Sequence, residues 1–283
     1  MSAAADFASG KGHKDENFPV ASFILQPRHR GPILAFYRFA RAADDVADHP
    51  SLPAATKLEL LETMRAALAG ESNASPEAAQ LRRVMEQADL PAVHGLELLK
   101  AFRQDATQTR YKDWPELMDY CRWSAAPVGR FVLDVHAQSR TTWPASDALC
   151  AALQVINHLQ DCAKDYRDLD RVYLPLDELD AEGVGVDALA RPGASPALRV
   201  VIRRLAERAQ DLLEAASPLA RSVTDGRLGY EIALIHRLAR HLAAWLTRRD
   251  PIRQRVHHRP WEVAGLAALA LGDQIAARVH GRP

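Results

Sequence analysis

Apolar residues recur at three- and four-residue intervals along most of this chain, with charged and amide residues filling the positions between them. That spacing is the signature of amphipathic helix, and the alternation that marks a half-buried strand is missing. Alanine, leucine, arginine and glutamate, all good helix formers, dominate the periodic stretches. Proline and glycine divide them: Gly31-Pro32, Pro50, Pro53, Gly70, Pro76, Pro91, Pro115, Pro144, Pro175, Pro192, Pro196, Pro218, Pro251 and Pro260 each mark a start or a stop. The pattern predicts about nine or ten helices, no sheet and a single all-α domain over residues 1–283. Residues 171–195, with Gly183, Gly185, Pro192 and Gly193, are the one long stretch without helical period. A loop of that length in a compact domain predicts a lid or a binding loop.

Two of the predicted helices carry polar stripes of an unusual kind. In the first, over residues 32–48, Ile33, Phe36, Ala40, Ala43 and Ala47 share one face, while Tyr37, Arg41, Asp44 and Asp48 lie roughly a quarter-turn away. Asp44, Asp45 and Asp48 all fall in the last turns, where the helix dipole is negative and disfavours a carboxylate by about 0.3–1 kcal/mol. A sequence that breaks a local preference three times in one turn does so at a functional site, and bound positive charge is the natural compensation. In the second helix, entered after Pro144 with Ser146 or Asp147 as its cap, Leu149, Leu153, Ile156, Leu159 and Ala163 make the buried face. Gln154, Asn157, Asp161 and Asp165 line the opposite side at three- and four-residue spacing.

Carboxylate and amide oxygens without thiolate or imidazole are hard ligands, suited to Mg²⁺ or Mn²⁺. Magnesium prefers one or two carboxylates together with phosphate oxygens of a substrate. Two such helices facing one another would hold metal ions and a diphosphate, Arg41 would add a planar donor fork, and departure of the diphosphate would leave a carbocation.

Composition narrows the field. With 48% of its 283 residues apolar, the chain can build a substantial core. Lys+Arg and Asp+Glu number 36 each, so general attraction to nucleic acid is not expected. Charge is uneven, however: residues 221–259 hold nine arginines against Asp225, Glu231 and Asp250. Cys121, Cys150 and Cys162 are odd in number and unsuited to a disulfide framework, and they read as buried, reduced, cytosolic thiols. Residues 1–18 lack a signal-peptide core, and the longest apolar run, 263–271, is too short to span a bilayer. A cytoplasmic protein is expected, with peripheral contact to the inner face of the membrane left open through residues 261–279. The five tryptophans read as packing residues and most of the 11 histidines as surface.

Tyr37-Arg38-Phe39-Ala40-Arg41-Ala42-Ala43-Asp44-Asp45-Val46-Ala47-Asp48 resembles the first aspartate-rich motif of the squalene/phytoene synthase family, and Gln154-x-x-Asn157-x-x-x-Asp161-x-x-x-Asp165 resembles the second. The likeness continues through Tyr120-Cys121-Arg122-Trp123-Ser124-Ala125-Ala126-Pro127-Val128-Gly129 and Arg171-Val172-Tyr173-Leu174-Pro175. It implies a helical isoprenoid synthase fold with a central hydrophobic tunnel, in which prenyl diphosphates are joined head to head or a cyclopropyl intermediate is rearranged. By the same resemblance Asp44 and Asp48 would take one group of Mg²⁺ ions, and Asn157, Asp161 and Asp165 the other. Tyr37, Arg41 and Gln154 would contact the diphosphate, with Phe18, Asn157 and Arg171 also on the substrate. Tyr120, Gly129 and Tyr173 would shape the cavity where the cation forms, and Arg259 or Arg255 would add a further diphosphate contact.

Two positions depart from the family pattern. The stretch before Phe18 reads Asp15-Glu16-Asn17 instead of serine-rich, and Gln160, preceded by His158, stands where arginine is usual. Both are similar to the hydroxysqualene synthases of the hopanoid branch, which implies presqualene diphosphate and water as reactants and no nicotinamide. The other activities of the family, presqualene diphosphate, squalene and phytoene synthesis, are the alternatives, and a catalytically silent lipid-binding relative is the alternative outside enzymes.

Overall fold

The computed structural model describes residues 25–280, with side chains as far as residue 272. Twelve α-helices occupy most of them, and the one strand-like contact is an isolated parallel bridge between Arg110 and Val172. The described residues divide into two compact units, 25–108 with 122–138, and 109–121 with 139–280.

The first unit contains α1 (Pro27–Ala47), α2 (Ala54–Leu68), α3 (Pro76–Gln87) and α4 (Val93–Asp105). It is completed by the end of α5 (Trp114–Ser124) and by α6 (Ala126–Val135). α1 begins five residues before the expected Gly31-Pro32 start. Pro27 takes the first helical position, and Gln26 before it is extended, as a residue preceding proline must be. Pro32 therefore lies inside the helix and removes one backbone bond there. α3 starts as its sequence predicts, with Pro76 in the first turn and the Ser75 hydroxyl accepting from the Ala78 N–H. Phe36 of α1 stacks on Phe131 of α6 at 4.2 Å, over a core that includes Phe39, Leu61, Met64, Leu81 and Leu99. At Gly95 a Cβ would come within 2.7 Å of Leu68 Cδ2, so any larger residue there would force the buried Leu68 side chain to move.

The second unit is built on α7 (Trp143–Leu169), followed by α8 (Leu176–Ala181), α9 (Pro196–Ala216), α10 (Leu219–Ser222), α11 (Gly226–Leu246) and α12 (Pro260–His280). α7 packs on α9 and α11, and α12 on α11. The chain enters α7 at Trp143, earlier than expected, so Ser146 is buried in the first turns and does not cap. α7 ends on Asp170 in the left-handed conformation, which an aspartate tolerates.

Residues 171–195 are not the open loop their composition suggests. They hold α8 and a 3₁₀ turn at Val186–Ala190, with Leu189 fully buried. Buried Glu178 accepts from Arg204 Nη1 at 2.5 Å and also from Arg208. A long-range ion pair of this kind cannot be read from local period, because its partners lie a helix further on. Histidines also depart from expectation: His29, His94, His136 and His158 are buried, His94 against Asp134 Oδ2 at 2.8 Å.

Candidate active site

The acid-bearing end of α1 is organised by Arg41. Its guanidinium donates from Nη1 to Asp44 Oδ2 at 2.6 Å and from Nη2 to Asp45 Oδ1 at 3.0 Å, the i+3 and i+4 neighbours on the helix. Asp48 is the C-cap residue, and its backbone N–H donates to the Asp44 carbonyl at 2.8 Å, so the two carboxylates stand one turn apart at the negative end of the helix dipole. The Asp44 carboxyl is pushed up to about 7 from its ordinary value. Crowding by protein atoms is the largest cause, followed by the charge of Asp48; Arg41 opposes the rise, while Asp105 and Asp45 add to it. About a third of the Asp44 side chain, 34%, stays accessible, which a metal or a diphosphate would require. Tyr37, one turn before Arg41, is half-buried on the same stripe.

Two members of this half were not visible in the sequence. Buried Asp105, at the end of α4, adds a fourth acid to the field on Asp44. Lys57 of α2 donates through Nζ to the Ala47 carbonyl at 2.7 Å, placing a cation on an orphan carbonyl of the helix end. Neither residue lies in a motif, and only the packing of α2 and α4 on α1 brings them there.

α7 carries the second polar stripe. Gln154, Asn157, Asp161 and Asp165 are all half-buried, intermediate between the covered face of Ile156, Leu159 and Ala163 and the exposed Lys164. Beside them lies an aromatic cluster. His158 stacks on Tyr173 with ring centroids 3.5 Å apart, and Tyr111 stacks on the same tyrosine at 5.4 Å. The Tyr120 and Tyr173 hydroxyls are 3.4 Å apart, and buried Arg171 donates from Nη1 to the Tyr173 hydroxyl at 3.2 Å. Burial, reinforced by the charge of Arg171, pushes the His158 imidazole down to about 3, so it is neutral at any working pH.

Gln160 is buried and donates its side-chain amide to the Val256 carbonyl, docking residues 250–259 on α7. Within that segment His257 feels the charge of Asp161. Arg259 is exposed, its guanidinium 5.2 Å from the Trp261 ring. The structure thus brings Tyr120, Tyr173 and Arg171 together and places Gln154, Asn157, Asp161 and Asp165 along one helix face, while Arg259 pairs with a tryptophan. Gly129 is half-buried in α6. Phe18 and the Asp15-Glu16-Asn17 stretch lie outside the described residues.

The donor sets of both stripes are carboxylate and amide oxygens, and the crowded acids of α1 leave excess negative charge at an accessible position. Each donor set, Asp44 and Asp48 on α1 and, separately, Asn157, Asp161 and Asp165 on α7, is of the oxygen kind that suits a hard divalent cation such as Mg²⁺.

With an all-helical fold, two aspartate-rich helices and a tyrosine cluster, the chain belongs to the squalene/phytoene synthase family, whose sequence model matches residues 11–262. Within it, the chain is similar to the hydroxysqualene synthase of Rhodopseudomonas palustris, 51% identical over 282 residues that cover 100% of this chain and 97% of the relative. The hydroxysqualene synthase of Zymomonas mobilis is also 51% identical, over 96% of this chain and 92% of its own. Among solved structures, a squalene synthase from Alicyclobacillus acidocaldarius is 30% identical with a TM-score of 0.73, covering 87% of this chain and 92% of that one. A dehydrosqualene synthase solved with a ligand shares the fold, at 20% identity, a TM-score of 0.79 and 96% coverage of both chains.

Proposed function

We propose that this enzyme converts presqualene diphosphate and water into hydroxysqualene and diphosphate. The observation that carries this reading is the 51% identity to a hydroxysqualene synthase along the whole chain, which includes both aspartate-rich stripes. Asp44, Asp48, Asn157, Asp161 and Asp165 hold Mg²⁺ in this reading. The metal, when bound, neutralises the charge that gathers on the departing diphosphate.

The remaining work falls to the chain's own side chains. Arg41, held in place by its bonds to Asp44 and Asp45, would turn its remaining guanidinium N–H groups toward phosphate oxygens, and Tyr37 on α1 and Gln154 on α7 are the further diphosphate contacts of this reading. The C–O bond of the substrate breaks with its electron pair leaving on the diphosphate. Tyr120 offers its ring to the resulting cation, an interaction of about 0.5–2 kcal/mol when water is excluded, while Tyr173, stacked on His158 and Tyr111, shapes the cavity beside the Tyr120 hydroxyl. Neutral His158 beside them adds no competing positive charge. Water then donates its oxygen to the rearranged cation and releases a proton, so no hydride donor is required.

Incubating the purified chain with Mg²⁺ and, separately, farnesyl, geranylgeranyl and presqualene diphosphates tests the reading. Consumption of presqualene diphosphate alone, without NADPH, is expected. Condensation of two farnesyl or two geranylgeranyl diphosphates would assign a sister activity of the family instead.

A further inference from the structure

We propose that the outward face of α12 rests on an anionic lipid surface. No helix among the described residues is long and apolar enough to cross a membrane, so the contact is a surface one. Among the described residues five large hydrophobic side chains are exposed, and three of them belong to this helix: Trp261 at 65%, Leu269 at 56% and Leu271 at 50%. At 100° per residue these three fall on one side together with exposed Ala264, Gly265 and Ala268, while Ala270, fully buried against the unit, marks the opposite side. From Trp261 to Gly272 the exposed side carries no charged residue. A helix whose inner face packs on α11, with Tyr230 donating its hydroxyl to the Ala267 carbonyl at 3.0 Å, has no structural need of a second apolar face.

The surroundings of that face select its occupant. Exposed Arg253, Arg255 and Arg259 precede it in the chain, and Arg259 lies over Trp261. Two acids of the same stretch accept backbone N–H groups: Glu262 from Arg259 at 2.6 Å, and Asp250 from Ala194 and Ile252 at 2.8 and 2.9 Å. An uncharged helical face flanked by exposed arginines, with a tryptophan at the boundary, matches the layering of an anionic bilayer, headgroups against the cations and acyl chains against the leucines. The exposed centre, Ala264, Gly265 and Ala268, offers neither a pocket nor a hydrogen-bonding side chain, which suits a fluid surface better than a shaped protein partner. This inference concerns where the enzyme sits and does not depend on which diphosphate it consumes.

The test is flotation of the full-length protein with vesicles of phosphatidylcholine alone or with one-third phosphatidylglycerol, at low and high salt. Binding is expected only with the anionic vesicles and should weaken several-fold as salt rises, since each arginine near such a surface contributes roughly fivefold in affinity. Leu269→Ser with Leu271→Ser should lower binding by at least ~10-fold while leaving the melting temperature nearly unchanged, because both side chains are outward. Arg253→Glu should lower it at low salt only. Equal binding to neutral vesicles, no binding to either, or anionic binding unaffected by the leucine pair would overturn the proposal. So would a concentration-dependent dimer, seen by sedimentation, that the leucine pair abolishes, since the face would then belong to a second copy.

Discussion

The side-chain amide of Gln160 on α7 donates to the backbone carbonyl of Val256, and both residues are buried. At the position where the family pattern has arginine, this chain has a neutral side chain that ties the arginine-rich segment 250–259 to the acid-bearing helix. Gln160→Leu keeps the volume close and removes the donor, leaving a buried carbonyl unsatisfied at a cost of about 1–3 kcal/mol. Trypsin cleavage after exposed Arg253 and Arg255 should accelerate at least roughly threefold in this variant, because local opening governs proteolysis. Unchanged cleavage would show that other contacts hold the segment.

The same segment should loosen in acid. His258 lies 5.4 Å from His241 and 5.3 Å from Trp245, and its imidazole is pushed down to about 4, first by burial and then by His241. Folded protein therefore binds this proton more weakly than unfolded chain, so the contribution is intact above about 6.5 and is lost as pH falls from there toward 4. Tryptic cleavage after Arg253 should be faster at pH 5.5 than at pH 7.5, after correction for protease activity. His258→Phe should reduce that difference, and an equal response in both proteins would assign it to other groups.

Local features of this fold show in the sequence, and long-range ones do not. The carboxylate stripes of α1 and α7, the helical starts at Pro76, Pro196 and Pro260, and the all-α class are local patterns, and the sequence carries them. What it hides is whatever a second element supplies. Lys57 reaches Ala47, Asp105 reaches the field of Asp44, and Glu178 meets Arg204 and Arg208 only after helices pack. The stretch 171–195 looked open because its glycines and prolines were visible and those arginines were not. Pro32 reads as a helix start because proline suits a first turn better than an interior, but Pro27 takes that role. Arg259, which the family resemblance offers as a further diphosphate contact, has its guanidinium over Trp261.

The thiols offer a test of burial. Cys121 and Cys162 are buried, and burial pushes both thiols up, Cys162 to about 12, with Asp165 adding to the effect there. Cys150 is only half-buried. Titration of native protein with a thiol reagent at pH 8 should modify Cys150 first and leave the other two protected until denaturant is added. Rapid modification of Cys162 would show that α7 is more open than described.

Charge on the two stripes should matter to turnover far more than to folding. Asp48→Asn removes a carboxylate from the negative end of α1, and Asp161→Asn removes one from the half-buried stripe of α7. Each should lower kcat by about 100-fold or more at saturating Mg²⁺, with the melting temperature of metal-free protein unchanged or raised. Arg41→Lys should lose about tenfold or more in kcat/KM, because a point charge cannot present two parallel donors. Near-normal turnover in either aspartate variant would sink the assignment of metal binding to these helices.

In the proposed reaction water, not hydride, captures the cation, and labelled water tests this directly. Purified enzyme, presqualene diphosphate and Mg²⁺ in ¹⁸O-enriched water without NADPH should give a hydroxylated triterpene alcohol carrying one heavy oxygen, together with free diphosphate. A product without heavy oxygen, or squalene that appears only when NADPH is added, would contradict the account.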